Sequence, residues 1–398
     1  MSLLGRFESL AREREELLGE EDDPFGLEVE EVYSATEGRI HGRRVLLLGT
    51  NNYLGLTFDP ACIRAGQEAL AAHGTGTTGS RMANGSLSPH LALEEELAAF
   101  YGVSSAMVFS AGYLANLGII TALTGPDDIL LIDSDCHASI YDGCRLSGAQ
   151  VLRFRHNDPE SLRKRLQRLG EKVDRTLIIV EGIYSMLGDR APLSEIAEVK
   201  REFGGLLMVD EAHSMGVLGG KGRGLVEATG TEADVDLVMG TFSKSLGAVG
   251  GFCVSDSLKL DLIRYTSRPY IFTASPSPSV VASVRQALSI IRDRPELRTR
   301  LRENYLTLYR GLEELGYSLG PEPSPVVAAT FPDPASALAF WRRLLLEEGI
   351  YVNLMMPPAT PGGKPLIRAS VSAAHTPEQI QRVREAFGHL RHLAELEA

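Results

Sequence analysis

The chain is organised around Gly240-Thr241-Phe242-Ser243-Lys244-Ser245-Leu246-Gly247-Ala248-Val249-Gly250-Gly251, a stretch of small and polar residues with a lysine near its centre. Residues 236–239 before it and residues 250–254 at its end are short apolar runs of the kind that form buried strands. The pattern therefore predicts a small-residue loop between two strands, with Lys244 on that loop.

Lys244 is surrounded by groups that can bind an anion. The hydroxyls of Thr241, Ser243 and Ser245 are hydrogen-bond donors, and the glycines allow the backbone to approach an anion closely. An amine beside an anion site suits a lysine held as a Schiff base to a phosphorylated aldehyde cofactor. The alternative is a polar loop with an ordinary surface lysine.

Length, composition and charge restrict the class of protein. A chain of 398 residues, 44% of them hydrophobic, predicts one large domain and at least one smaller lobe. The net charge of -12 argues against a nucleic-acid-binding protein. The first residues lack the apolar run of a signal peptide or membrane anchor, which predicts a cytoplasmic protein. The four cysteines have neither metal-type nor disulfide spacing, so we expect free thiols and no metal.

Helical and apolar strand patterns alternate from residue 90 to residue 254. This alternation predicts an α/β fold with a mostly parallel sheet covered by helices on both faces. The predicted strands are 106–109, 129–132, 150–154, 177–180, 206–209 and the two runs beside Lys244.

The two ends of the chain have other patterns. The N-terminal part predicts a helix at 3–20, a strand at 44–48 and a helix at 60–72. The C-terminal part predicts a small α+β domain with strands at 326–331, 350–354 and 366–372 and helices at 279–315, 335–348 and 376–396. We divide the chain into an N-terminal segment (1–50), a large domain (51–285) and a small C-terminal domain (286–398).

Polar residues follow the predicted strands at their carboxyl ends, where parallel sheets bind ligands. Asp210 directly follows a predicted buried strand, where its negative charge would have to be compensated, and a protonated pyridine nitrogen would do so. The alternative is that Asp210 caps the next turn. His213 can donate to an oxygen on the cofactor ring, but a lone histidine is often satisfied locally. Ser185 and Thr241 are further candidates for contact with the cofactor.

Two other strand ends complete the predicted cofactor site. The backbone N–H groups of Gly112 and Tyr113 lie at a predicted helix N-terminus, which binds phosphate without a basic side chain, and Asn116 can assist. The ring of His137 can stack on the cofactor, while Asp135 can cap the helix that follows.

Arg368 lies within an apolar strand and needs an anion, either a substrate carboxylate or an internal Asp or Glu. The loop 74–81, which ends in Ser80 and Arg81, is rich in donors. The stiff apolar loop 355–363 could form a wall against an acyl chain.

These segments resemble a known family. Residues 110–113, His137, residues 210–216 and residues 240–244 together resemble the α-oxoamine synthases, fold-type-I enzymes with an aspartate-aminotransferase-like fold that use pyridoxal 5'-phosphate. The resemblance extends from residue 51 to residue 376. Residues 141–144, 153–157, 240–245, 268–275 and 357–361 are similar to the bacterial members that join L-serine to a long-chain acyl-CoA.

The resemblance implies a set of roles. Lys244 would form the imine with the cofactor, Asp210 would pair with the pyridine nitrogen, and His137 would stack on the ring and bind the substrate carboxylate. The other residues implied in cofactor binding are Gly112, Tyr113, Asn116, Ser185, His213, Thr241, Ser243, Thr273 and Ala274. Those implied in substrate binding are Asn52, Ser80, Arg81 and Arg368.

The resemblance also implies a homodimer with the site at the interface, where Thr273, Ala274 and the loop 74–81 would reach across from the partner. Close relatives can carry an arginine where this chain has Met356, which puts the carboxylate-binding role of that position in doubt. The implied reaction is a decarboxylative condensation of L-serine with palmitoyl-CoA, which gives 3-oxosphinganine, CoA and CO2.

Three alternatives stay open. A related synthase would use glycine or alanine with another acyl-CoA. A noncatalytic partner subunit is expected to lack the lysine that is present here as Lys244. An α/β binding module would leave the arrangement of strand-end residues unexplained. Membrane contact through residues 355–357 or the N-terminal helix is a separate hypothesis.

Overall fold

The computed structural model describes residues 2–18, 23–257 and 259–394. Its α-helices are α1 (Glu8–Leu18), α2 (Pro60–His73), α3 (Ser88–Tyr101), α4 (Gly112–Leu123), α5 (Ala138–Ser147), α6 (Pro159–Leu169), α7 (Leu193–Phe203), α8 (Leu225–Thr229), α9 (Leu260–Ile263), α10 (Arg268–Phe272), α11 (Pro278–Asp293), α12 (Glu296–Glu314), α13 (Pro334–Leu346) and α14 (Pro377–His389). Its strands are β1 (Glu31–Val32), β2 (Glu37–Ile40), β3 (Arg43–Leu47), β4 (Ser105–Phe109), β5 (Ile129–Asp133), β6 (Gln150–Phe154), β7 (Thr176–Glu181), β8 (Leu206–Asp210), β9 (Leu237–Thr241), β10 (Gly251–Ser255), β11 (Val326–Thr330), β12 (Ile350–Tyr351), β13 (Asn353–Met355) and β14 (Leu366–Ser370).

The large central sheet has the strand order β4-β10-β9-β8-β7-β5-β6. Strands β9, β8, β7, β5 and β6 are parallel, whereas β10 is antiparallel to both β9 and β4. The prediction of a mostly parallel sheet is therefore confirmed. Because the five parallel strands run in one direction, their carboxyl ends meet along one edge of the sheet.

The sheet is buried on both faces. Successive side chains of a strand point to opposite faces, so Ile179 packs in one apolar cluster while Ile178 and Val180 pack in the other. Each of these three side chains is fully buried. Burial of such a side chain contributes about 1.5–3 kcal/mol, so the two clusters hold the strand ends that carry the polar residues in fixed positions.

The C-terminal part contains two smaller sheet regions. Strands β11, β14 and β13 form an antiparallel sheet, and β12 pairs parallel to β3 in a sheet with β1 and β2. The predicted single strand 350–354 was therefore wrong, because Val352 separates two short strands that belong to different sheets.

The predicted helix 279–315 was also wrong as one element. It is divided into α11 and α12 at Arg294 and Pro295. A proline has no backbone N–H and its ring clashes with the preceding turn, so the first helix cannot continue through it.

Some predictions extend beyond the described residues. Residues 19 and 20 of the predicted N-terminal helix and residues 395 and 396 of the last predicted helix lie outside them. The division into three parts at residues 50 and 285 stays a prediction. Within the described ranges, no helix combines the length and apolar character that crossing a bilayer requires.

Candidate active site

A cavity of about 300 Å³ lies at the carboxyl ends of the parallel strands. It brings together most of the residues that the sequence predicted for the cofactor: Gly112, Tyr113, Asn116, His137, Asp210, His213, Thr241, Ser243 and Lys244. Residues far apart in the chain thus form one site because β5, β7, β8 and β9 end at the same edge of the sheet.

Lys244 lies on the loop between β9 and β10, as predicted. The loop is anchored on both sides of the lysine, because Phe242 is fully buried and Ser245 Oγ donates to the carbonyl oxygen of Met215 at 2.7 Å. Burial lowers the pKa of Lys244 to about 8, although the nearby carboxyl groups of Asp210 and Glu181 oppose that change. A larger fraction of this amine is therefore neutral near pH 7 than in an ordinary lysine.

Asp210 ends β8 and is 6% exposed. Its Oδ2 accepts a hydrogen bond from Asn116 Nδ2 at 2.7 Å, and its Oδ1 accepts one from the backbone N–H of Ala212 at 2.9 Å. The alternative of a cap on the next turn is therefore also present. Among the described residues, no basic side chain forms a hydrogen bond or ion pair with this carboxylate, so its charge is left to be compensated from the cavity.

Glu181 also lines the cavity; the sequence places it at a strand end, but we assigned it no role from the sequence. It ends β7, is 3% exposed, and accepts a hydrogen bond from the backbone N–H of His137. Burial and the neighbouring Asp210 raise the pKa of Glu181 well above its usual value. The sequence pattern that indicated Asp210 also applies to Glu181, since each follows a predicted apolar strand.

His137 lines the cavity and begins α5. Its Nδ1 accepts a hydrogen bond from the backbone N–H of Ser139 at 3.2 Å, so His137 caps this helix, and the predicted cap by Asp135 was wrong. Burial lowers the pKa of His137, and Lys244 lowers it further, whereas Asp210 raises it. This hydrogen bond to α5 fixes the ring, which lines the cavity wall.

His213 is buried, and its Nδ1 lies 2.6 Å from the hydroxyl of Tyr53. Burial lowers the pKa of His213 well below its usual value, and burial raises the pKa of Tyr53 to about 12. At neutral pH the phenol therefore donates to a neutral imidazole, which carries its own proton on Nε2. Tyr53 was not predicted as a site residue.

The N-terminus of α4 forms one end of the cavity. Its cap residue, Ala111, makes no side-chain hydrogen bond to the helix, so the first backbone N–H groups are not capped in that way. A Cβ on Gly112 would lie 2.9 Å from both Cβ and Oγ1 of Thr241, which explains why glycine is needed there. Thr241 Oγ1 lies 2.9 Å from Ser243 Oγ. Backbone N–H groups and hydroxyls at a helix N-terminus fit a phosphate group.

Arg368 is 5% exposed, and its Nη2 donates to Asn51 Oδ1 at 2.5 Å. In the part of the chain that the structure describes, it forms no ion pair with Asp or Glu, and its Nε has no hydrogen-bond partner. The internal carboxylate considered as an alternative is therefore not found there. The positive charge of Arg368 adds to the lowering of the pKa values of His213 and Lys244, which places it close to the cavity.

Asn52 is also buried, and it has one unused polar atom. Its Nδ2 donates to Thr57 Oγ1 at 2.7 Å, whereas its Oδ1 has no hydrogen-bond partner. Asn52 and Arg368 thus both retain hydrogen-bonding capacity that the protein does not use.

Seven predicted residues do not line this cavity: Asn52, Ser80, Arg81, Ser185, Thr273, Ala274 and Arg368. Ser80 and Ala274 pair with each other in an isolated β-bridge, and Ser110 Oγ donates to the carbonyl oxygen of Ala274. Arg81 is 5% exposed and forms a buried ion pair with Glu94 at 2.8 Å. Its guanidinium thus holds the loop 74–81 to α3 and does not line the cavity where the substrate was predicted to bind.

His156 joins two loops at the same edge of the sheet, and the sequence reasoning did not assign it. Its Nδ1 lies 2.8 Å from Asp133 Oδ1, and its Nε2 lies 2.6 Å from Asp189 Oδ2. Burial lowers the pKa of His156, but the hydrogen bonds to the two aspartates raise it to about 10. This charged bridge fixes the loop that leads to His137 against the loop that follows Glu181.

The chain matches known proteins along most of its length. The family Aminotransferase class I and II matches residues 43–387. The chain belongs to that family. It is 59% identical over 368 residues to a serine palmitoyltransferase of Caulobacter vibrioides, with 92% of this chain and 91% of that protein covered. It is 42% identical over 352 residues to an 8-amino-7-oxononanoate synthase of Geobacter sulfurreducens, with 88% and 89% covered.

The fold matches solved structures equally well. A structure described as SPT with a PLP internal aldimine has a TM-score of 0.96 and 47% identity, and the match covers 100% of both chains. The predicted family resemblance and the predicted fold class are therefore confirmed.

Proposed function

We propose that this chain is a serine palmitoyltransferase. It joins L-serine to a long-chain acyl-CoA such as palmitoyl-CoA, releases CoA and CO2, and yields 3-oxosphinganine, the first step of sphingolipid synthesis. The observation that carries the proposal is the cavity in which the amine of Lys244 and the uncompensated carboxylate of Asp210 lie together. The similarity to proteins named serine palmitoyltransferase supports the choice of substrates.

The proposed cofactor is pyridoxal 5'-phosphate, and the cavity residues fit it. Asp210 would face the pyridine nitrogen, and the N-terminus of α4 at Gly112 and Tyr113, together with Ser243, would hold the phosphate. His137 would lie against the ring. The bound cofactor would withdraw electrons from Cα of the amino acid and so make its proton removable.

Lys244 is the proposed base for that proton. A general base works best when its pKa is near the working pH, and burial brings the pKa of Lys244 to about 8. Asp210 and Glu181 limit this change, because their charges favour the protonated amine. The cavity thus leaves the lysine able both to take up and to return a proton.

The serine carboxylate is proposed to bind Arg368, with Asn52 and His137 nearby. Arg368 has an unused buried donor, and a carboxylate is the anion that its guanidinium binds best. Met356, at the position where relatives can carry an arginine, is partly buried against the apolar core. Arg368 would then supply the positive charge that Met356 lacks.

The proposed assembly is a homodimer in which Thr273, Ala274 and the loop 74–81 lie near the site of the partner. The proposal also includes Ser185 as a cofactor contact and peripheral membrane contact through the loop 355–357. A cytoplasmic location stays a prediction.

An absorbance scan and a product assay test the proposal. The purified protein should absorb in the near-visible region because its lysine is linked to the cofactor, and the spectrum should change when L-serine is added. Lys244→Ala should lose this band and all turnover, whereas Lys164→Ala, which removes an exposed lysine on α6, should retain both. An active Lys244→Ala protein would contradict the mechanism.

A second candidate is a related synthase that uses alanine or glycine, which the 42% identity to an 8-amino-7-oxononanoate synthase supports. The product assay separates the two, because it compares serine, glycine and alanine, each with short and long acyl-CoA donors. Preference for serine with a long acyl chain is the expected result.

A further inference from the structure

A second cavity, of about 350 Å³, lies away from the candidate active site and is lined by basic side chains. Lys221, Arg223, Arg292 and Arg298 line it, and among its described lining residues there is no Asp or Glu. Such a concentration of positive charge is unexpected in a chain whose net charge is -12. It therefore requires an anion from outside the chain or a compensating carboxylate nearby.

The nearby carboxylates are already engaged. Both oxygens of Glu227 accept backbone N–H groups, from Lys221 at 2.8 Å and from Arg223 at 2.9 Å. Asp293 pairs with Arg292 at 2.8 Å, on the solvent side of its helix. Within the described residues, Lys221 and Arg223 form no side-chain ion pair, so these two charges are not neutralised by direct contact.

Arg298 is held in a fixed position in the wall of the cavity. It is 9% exposed, and its guanidinium donates only to two backbone carbonyl oxygens, those of Ile291 at 2.7 Å and Gly220 at 2.6 Å. Its direct acceptors are neutral, and the negative charges of Glu227 and Glu296 act on it only from beyond hydrogen-bond distance. Arg223 Nε is buried and has no hydrogen-bond partner, and Arg223 also borders a smaller cleft next to Glu232 and Asp236.

We propose that this basic cavity binds a small phosphate-bearing anion. A terminal phosphate group carries about −1.5 to −2 charge at pH 7 and accepts several hydrogen bonds, which suits a group of fixed and mobile cations. The loop 219–224 that forms one wall carries four glycines, which leave room for close approach. The site does not depend on the proposed function.

The site also has a physical connection to the lysine loop. The backbone N–H of Gly216 donates to the carbonyl oxygen of Gly222 at 2.8 Å, and a Cβ on Gly216 would meet Ser245 Cβ at 2.6 Å. Two contacts therefore connect the loop 219–224 to Ser245, the residue next to Lys244.

Titration of pyrophosphate into the cofactor-loaded protein tests the proposal by calorimetry. The loaded protein is used because the cofactor then occupies the phosphate end of the active site. Lys221→Gln/Arg292→Gln removes two exposed cations of the cavity and should weaken pyrophosphate binding by about tenfold. Lys164→Gln/Arg165→Gln, which removes two exposed cations on α6, should change it by less than about twofold.

Melting temperatures of both double variants show whether each protein remains folded. Competition by CoA would identify the phosphates of a nucleotide as the source of the anion, and lack of competition would identify a free phosphate compound. Absence of pyrophosphate binding by the unaltered protein, or equal weakening in the two double variants, would overturn the proposal.

Discussion

Replacement of Tyr53 by phenylalanine tests how the cavity controls the protonation of His213. The Tyr53 hydroxyl lies 2.6 Å from His213 Nδ1, and both side chains are buried. Because burial raises the pKa of Tyr53 to about 12 and lowers that of His213, the hydroxyl keeps its proton and the imidazole stays neutral. The hydrogen bond therefore selects the tautomer with its proton on Nε2.

The expected cost follows from that geometry. Tyr53→Phe leaves Nδ1 of His213 buried without a donor, which costs about 1–3 kcal/mol of unfolding free energy. If the same hydrogen bond also orients His213 during the reaction, a loss of about 1.4 kcal/mol in the transition state lowers kcat/KM about tenfold. Both effects should appear together.

Tyr317→Phe is the matched control. Its hydroxyl donates to the carbonyl oxygen of Phe387 at 2.8 Å, and its side chain is buried far along the chain from the cavity residues. Urea unfolding should show a similar loss in both variants, but only Tyr53→Phe should lower kcat/KM and change the nitrogen NMR signals of His213. If the two variants had equal kcat/KM, the assigned role of Tyr53 would be wrong.

Three further predictions concern single side chains. The pKa of His156 is about 10 in the folded protein against 6.5 for the free group. The charged imidazole therefore stabilises the fold fully below pH 6.5, and this stabilisation is lost as the pH rises through about 10. Urea unfolding should show that the difference in unfolding free energy between the protein and His156→Gln shrinks over that range. Arg368→Met should raise KM for serine by about ten- to a hundredfold, since a charged hydrogen bond contributes about 1.5–3 kcal/mol, and steady-state kinetics measure it. Arg81→Met leaves the buried Glu94 with Arg264 as its remaining partner at 3.1 Å, so unfolding free energy should fall by up to about 3 kcal/mol while KM for serine stays unchanged in the folded fraction.

The sequence predicted the central sheet well because its strands are short apolar runs between helical patterns. Buried strands of a parallel sheet are apolar on both faces, so their signal is continuous and strong. Asp210 comes directly after such a run and His137 a few residues after another, and the structure brings both to one cavity. Position at a strand end was therefore sufficient to group these two residues.

The misses have a different cause. The run 350–354 contains four apolar or aromatic residues and only one polar residue, Asn353, and nothing in it indicates that Val352 separates strands of two sheets. Pro295 indicates the break between α11 and α12, but the helical pattern on both sides of it led us to predict one helix. The role of Tyr53 depends on a partner 160 positions away, and only the folded chain brings the two together.

Glu181 and Asp210 explain why the cavity is suited to chemistry as well as to binding. The parallel register of β7 and β8 places the two residues side by side at the ends of the strands, and both are buried. Two buried carboxyl groups repel each other, and this repulsion adds to burial in raising the pKa of Glu181. Apolar residues in these two positions would be more stabilising, and apolar residues occupy positions 177–180 and 206–209 of the same strands. The chain therefore keeps two buried carboxyl groups side by side at the edge where a cationic ring nitrogen and the amine of Lys244 would compensate negative charge.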